Sequence, residues 1–252
     1  MPRYEFVCSC KEDEIIYVIN MSFNDYKSEI PCPCGNGIAK RKFSSITVQE
    51  GLTAKEKQFG TTKKRKNMAR TPSVMIPLGF EAPKFALLDV TSNLIMKSDD
   101  LFGSKGTLVM FICNHCPFVK HINQQIVQIA NDYHNSGIKF IAISSNDVIN
   151  YPEDSPIEMK KNATKEKFNF PYLYDETQIV AKNYDAACTP DFFIFNDSNK
   201  LVYRGQLDDS RPGNNIEVTG TDVRNALNAL INLQEINPIQ KPSIGCNIKW
   251  IN

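Results

Sequence analysis

The 252-residue chain has no excess of charge of either sign: 29 Lys and Arg stand against 28 Asp and Glu, a formal net charge of +1. So even a balance excludes the long-range field that would recruit nucleic acid or an anionic membrane, and any basic patch must be local. No apolar run is long enough to cross a bilayer. The opening MPRYEFVCSCKEDE also lacks the charged start, apolar middle and small-residue cleavage site of a secretory leader, so the expected location is cytoplasmic, with no membrane partner. There is no internal repeat and no low-complexity tract. What is present is an ordinary globular composition, 42% hydrophobic and 23% charged, enough for one large domain or a small one plus a medium one.

The chain is also rich in cysteine, with eight. In a reducing compartment a static disulfide framework is not expected, which leaves metal binding and reversible redox chemistry. The positions separate the two. Cys8, Cys10, Cys32 and Cys34 fall in two close pairs near the amino terminus, whereas Cys113, Cys116, Cys188 and Cys246 are spread through the rest. Residues 1–43 are too few to fold by apolar burial alone, and two turns presenting four thiolates suit tetrahedral zinc. Residues 44–75 read as a solvated basic linker, with seven Lys or Arg and one acid between Lys55 and Arg70. Its KKRK run allows nucleic-acid contact by the amino-terminal region, but no aromatic platform lies nearby and simple solvation is the stronger reading.

Residues 76–252 alternate apolar strands with amphipathic segments, the pattern of an α/β domain with a central mixed sheet flanked by helices. KFALLDV and the near-continuous TLVMFI predict strands, and Phe118, Ile122, Ile126 and Ile129 recur at helical spacing after the latter. IKFIAISSN predicts another buried strand, 156–167 and 177–184 predict helices, DFFIF and KLVYRG form a hairpin around NDSN, and 221–233 closes the domain as a helix.

The segment MFICNHCPFVKHI places Cys113 and Cys116 where strand gives way to helix. There Cys113 would feel the helix dipole and free N–H groups, which favour a thiolate, with His115 adding positive charge or a hydrogen bond. Cys113 is expected to be the nucleophile and Cys116, one turn on and less exposed, the resolving thiol. Haem attachment would need His after the second cysteine, where Pro117 stands, and no flavin or nucleotide is expected either. A zinc knuckle from Cys113, Cys116 and His121 would lack a fourth ligand. In AACTPDFFIF, Thr189-Pro190 precedes an apolar strand, a placement that resembles the cis-proline of thioredoxin-like folds and would leave the Thr189 backbone open to strand-like pairing with a substrate; the alternative is a trans proline that starts an edge strand.

Two resemblances follow from these motifs. MPRYEFVC and EIPCPCGNG resemble the FmdB-type regulatory zinc ribbon, with Cys-x-Cys in place of the usual Cys-x-x-Cys. From about residue 77 to 250, CNHCPFVKH, AISSND, YPEDSP, CTPDFF, YRGQLDDSRPGN and SIGCNIKW resemble a peroxiredoxin-like branch of the AhpC/TSA redoxins. That resemblance implies a thioredoxin-like fold and thiol redox chemistry at Cys113 and Cys116. Its substrates would be a thiol or disulfide protein or a peroxide, with a dithiol donor such as a thioredoxin or glutathione system. A peroxidase needs Thr three residues before the reactive cysteine, and Met110 stands there. Arg211 could serve as its basic partner, or could brace its own loop with Asp208 and Asp209. Cys188 and Cys246 are candidate accessory thiols. The leading expectation is a thiol-disulfide oxidoreductase; the alternatives are a thiol peroxidase and a redox-sensing regulator.

Overall fold

The computed structural model describes residues 70–251 and, nearer the amino terminus, four strands whose side chains are not described. The chain divides into two compact units, Met1–Lys66 and Asn67–Asn252. In the first, β1 (Arg3–Cys8), β2 (Ile15–Asn20), β3 (Glu29–Pro31) and β4 (Ile38–Arg41) form an antiparallel sheet in the order β2-β1-β4-β3. Cys8 is the last residue of β1, and Cys10, Cys32 and Cys34 lie outside the described residues, as does most of the basic linker.

The linker's far end is not a linker. Arg70–Pro72 is a strand, β5, and Ser73 beyond it exchanges hydrogen bonds with Ser243: each backbone N–H donates at 2.8 Å, one to a carbonyl and one to a hydroxyl. Two short strands follow, β6 (Ala86–Asp89) and β7 (Leu94–Lys97), then a single helical turn, α1 (Ser98–Leu101). The centre of the domain is β8 (Gly106–Phe111), α2 (Pro117–Asp132), β9 (Ile138–Ser144), α3 (Pro156–Glu166) and β10 (Tyr172–Tyr174). The rest comprises α4 (Ile179–Asn183), β11 (Cys188–Thr189), β12 (Asp191–Asn196), β13 (Leu201–Gly205), α5 (Thr221–Ile231) and β14 (Ile244–Asn247).

Seven strands make one mixed sheet in the order β13-β12-β8-β9-β10-β6-β7, parallel at β8-β9 and β9-β10 and antiparallel elsewhere. The unbroken apolar runs are explained by burial on both faces. Along β8 and just past it, Leu108, Met110 and Ile112 join one core with Val119, Ile122 and Ile126 of α2, Met159 of α3 and Val223 of α5. Val109 and Phe111 point the other way, into a second core with Val180 and Ala181 of α4, Tyr184, Phe193 and Phe195. Successive strand side chains alternate faces, so one run fills two cores. The helix expected over 156–167 ends at Glu166 with Lys167 in the left-handed region (φ 59°), and that expected over 177–184 is reduced to α4.

A third, three-stranded sheet, β11-β14-β5, sits where β12 begins. It carries the carboxy-terminal segment back to the start of the domain and onto the Thr189-Pro190 bond, with Cys188 opposite Asn247 and Thr189 opposite Cys246. Among the described residues no helix is long and apolar enough to cross a membrane.

Candidate active site

The site is the turn between β8 and α2. Cys116 takes the N-cap position and Pro117 the first helical position, where its missing N–H leaves no bond unmade. Cys113 and Cys116 are 1% and 0% exposed, so the expected difference in exposure is absent; their neighbours distinguish them. Cys113 Sγ lies 3.3 Å from Thr189 Oγ1 and 4.0 Å from Nδ1 of His115, whose side chain reaches solvent. Cys116 Sγ is enclosed, 3.1 Å from the Thr189 carbonyl and 2.9 Å from Cys246 Sγ. The Thr189-Pro190 bond is cis, as the motif suggests. The Thr189 backbone is nevertheless not open to a substrate strand: Thr189 is buried and already paired with this chain's own β14, because the carboxy-terminal segment folds back onto it.

One residue that sequence reasoning missed organises this turn. Asp154, wholly buried in YPEDSP, accepts the backbone N–H groups of Asn114 and His115 on Oδ1, at 2.7 and 3.2 Å. Its Oδ2 accepts from His115 Nδ1–H at 2.5 Å and from Asn146 Nδ2 at 2.8 Å. The donor atom of His115 is thereby fixed as Nδ1. The ring stacks on Tyr151, centroids 5.2 Å apart, and the Asn114 amide donates to the Glu153 carbonyl at 2.8 Å. Asn146 in turn accepts the backbone N–H of Lys249 at 2.8 Å, which ties AISSND and SIGCNIKW to the same network. The signal was in the sequence, since Asp154 lies in one of the quoted motifs, but no spacing rule connects it to a turn forty residues away.

Burial pushes the Cys113 thiol well up, with further contributions from its hydrogen bond to Cys116 and from the Asp154 carboxylate. Hydrogen bonds with Cys113 and then Cys246 hold Cys116 well below the usual thiol range. Cys246 is pushed up by its bond to Cys116 and by burial, and Cys188 by burial first. Asp191, just past the cis-proline, is wholly buried, and burial holds its carboxyl far above the carboxylate range.

Other expected residues stand apart from this chemistry. Cys188 points its S–H at the Pro190 carbonyl, 3.5 Å away. Arg211 braces its own loop: Nη1 donates to the Asp208 and Ser210 carbonyls and Nη2 to Gln206 Oε1. Met110 is buried in the core. His121 bonds Ser210 through Nε2 at 2.8 Å, which removes it from the zinc-knuckle alternative. Ligand atoms of Cys113, His115 and Asp154 do lie within 4.8 Å of one another, a set able to hold a metal ion, though in this geometry each is engaged in hydrogen bonds. Beside the turn, Phe118, Ile122, Pro190, Phe192, Leu207 and Arg211 help to line a shallow surface depression.

The profile of the AhpC/TSA family matches residues 78–204. No curated protein matches the chain. Among solved structures, an uncharacterized conserved protein from Geobacillus kaustophilus is 56% identical with a TM-score of 0.72, over 73% of this chain and 97% of that one. A hypothetical protein from Sinorhizobium meliloti is 42% identical with a TM-score of 0.70, over 72% of this chain and 98% of that one. A putative thiol:disulfide interchange protein DsbE from Chlorobium tepidum, 17% identical with a TM-score of 0.50 over 62% of this chain and 99% of that one, shares the fold.

Proposed function

The chain belongs to the AhpC/TSA family, and from that premise we propose that it is a thiol-disulfide oxidoreductase in which Cys113 attacks and Cys116 resolves. The observation that carries the reading is the placement of Cys113 and Cys116 at the amino terminus of α2, one sulfur facing His115 and the Thr189 hydroxyl and the other enclosed against the Thr189 carbonyl and Cys246. As a partner disulfide approaches, the Cys113 thiol gives its proton to solvent. The Cys113 thiolate attacks one partner sulfur, and the other leaves as a thiolate that takes up a proton from solvent. Cys116 then attacks Cys113 Sγ, gives its proton to the departing partner, and leaves that partner as a dithiol and this chain as a disulfide. A dithiol donor such as a thioredoxin or glutathione system returns the two electrons. The chemistry suits a reducing cytosol.

A thiol peroxidase using Cys113 is less well supported, because Met110 is core-buried where a hydroxyl would hold peroxide and Arg211 bonds to its own loop. For the amino-terminal unit, Cys8, Cys10, Cys32 and Cys34 remain the proposed zinc ligands, supported by their pairing in sequence and by the antiparallel sheet that ends one strand at Cys8. A regulatory role for that unit would show as salt-dependent DNA retention, lost on removing residues 1–72.

The test is thiol alkylation and mass spectrometry across a series of dithiothreitol ratios, with a disulfide-reductase assay. A reversible Cys113–Cys116 disulfide is expected, and Cys113→Ser should lower turnover by on the order of 1,000-fold or more. Rapid sulfenic acid formation on Cys113 with stoichiometric peroxide, and no Cys113–Cys116 bond, would replace this reading with the peroxidase.

A further inference from the structure

The third thiol of the site has no part in the two-cysteine cycle. Cys246 is 1% exposed and its Sγ accepts a hydrogen bond from that of Cys116 at 2.9 Å, so the two sulfurs are in direct contact. The approach is built by the fold rather than by a flexible tail. β14 is held between β11 and β5, Thr189 pairs with Cys246, and Ser243 donates to the Pro190 carbonyl at 2.6 Å. Gly245 lets the strand come this close: a Cβ there would press on the Thr189 carbonyl oxygen. Cys116 therefore has a sulfur partner on each side, Cys113 and Cys246.

We propose that Cys246 is a redox-active thiol that takes over the disulfide from Cys113, forming a Cys116–Cys246 bond. The exchange rests on the proposed Cys113–Cys116 chemistry and extends it. Cys246 gives up its proton and its thiolate attacks Cys116 Sγ; the Cys116–Cys246 bond forms as the Cys113–Cys116 bond breaks. Cys113 leaves as a thiolate and takes up the proton that Cys246 released. No electrons are gained or lost, so no further oxidant is needed. In the dithiol form the hydrogen bond with Cys116, ahead of burial, pushes the Cys246 thiol up; once Cys116 is in a disulfide that bond is gone. The oxidised protein then keeps a free Cys113 beside His115, able to engage a second thiol or disulfide while the first disulfide is stored in the interior.

The experiment uses the full chain, oxidised across dithiothreitol ratios, quenched with acid, alkylated and digested with trypsin. Cys113 and Cys116 fall on one tryptic peptide and Cys246 on another, so the two disulfides differ in mass. Wild type should show the cross-linked Cys116–Cys246 peptide, Cys246→Ala should lose it while keeping the Cys113–Cys116 loop, and Cys113→Ala should form Cys116–Cys246 alone. If wild type and Cys246→Ala both give only the Cys113–Cys116 loop and Cys113→Ala leaves two alkylated thiols, Cys246 is a packing residue and the proposal fails. If neither wild type nor Cys246→Ala forms the Cys113–Cys116 loop, the oxidoreductase reading fails instead. The wild-type digest decides the question even if a variant does not fold.

Discussion

Asp154 binds the reactive turn through four donors, two of them backbone N–H groups of Asn114 and His115. A buried acceptor so fully used is costly to alter, because each donor left facing the wrong atom keeps its desolvation cost. Asp154→Asn should lower stability by roughly 2 kcal/mol, read from denaturant unfolding. It should also move the pH midpoint of Cys113 alkylation downward, since the Asp154 charge is one of the causes, after burial and the Cys116 bond, that push that thiol up. An unchanged midpoint would show that Asp154 braces the turn without acting on the sulfur. At this scale the sequence was legible where chemistry is local. Cys113, His115, Cys116, Thr189 and Pro190 can be read from two short motifs, and they do meet. The roles of Asp154 and the ionisation of the pair were not legible, because both depend on groups that only folding brings to the turn.

β14 is the element on which the back of the site depends, and Gly245 is its point of closest approach. Replacing it with Ala would press Cβ against the backbone of Thr189, which has no flexible end to give way. The strand must lift off β11 and draw Cys246 away from Cys116. Gly245→Ala should cost about 1–3 kcal/mol and sharply reduce any Cys116–Cys246 cross-link while leaving the Cys113–Cys116 loop, measured by the same digest. An undiminished cross-link would mean that β14 moves as a whole with its cysteine. The long elements β8, α2, β9, α3, β12, β13 and α5 were legible because each carries its own period of burial. β5, β10 and β14 are three or four residues long and exist through their neighbours: Arg70–Pro72 is basic and exposed at its ends, and only pairing with Ile244–Cys246 makes it a strand.

For the whole molecule, the alternation of strands and helices was enough to read an α/β domain with a mixed central sheet, and the family follows from residues 78–204 and from close relatives. Those relatives match residues of this chain over 97% and 98% of their own lengths but cover only 73% and 72% of it. The unit from Asn67 to Asn252 has two apolar cores, one on each face of its sheet, and its own carboxy-terminal strand returns to β5 within the same unit. It should therefore fold alone. Expressed as residues 67–252, it is expected to unfold in one cooperative transition and to give the full chain's disulfide pattern at Cys113, Cys116 and Cys246. Metal analysis of the same two proteins separates the two sets of cysteines: the full chain should hold about one zinc, reduced by Cys32→Ser, and the fragment none. Zinc retained by the fragment would point to Cys113, His115 and Asp154 as ligands and count against a dithiol as the working state.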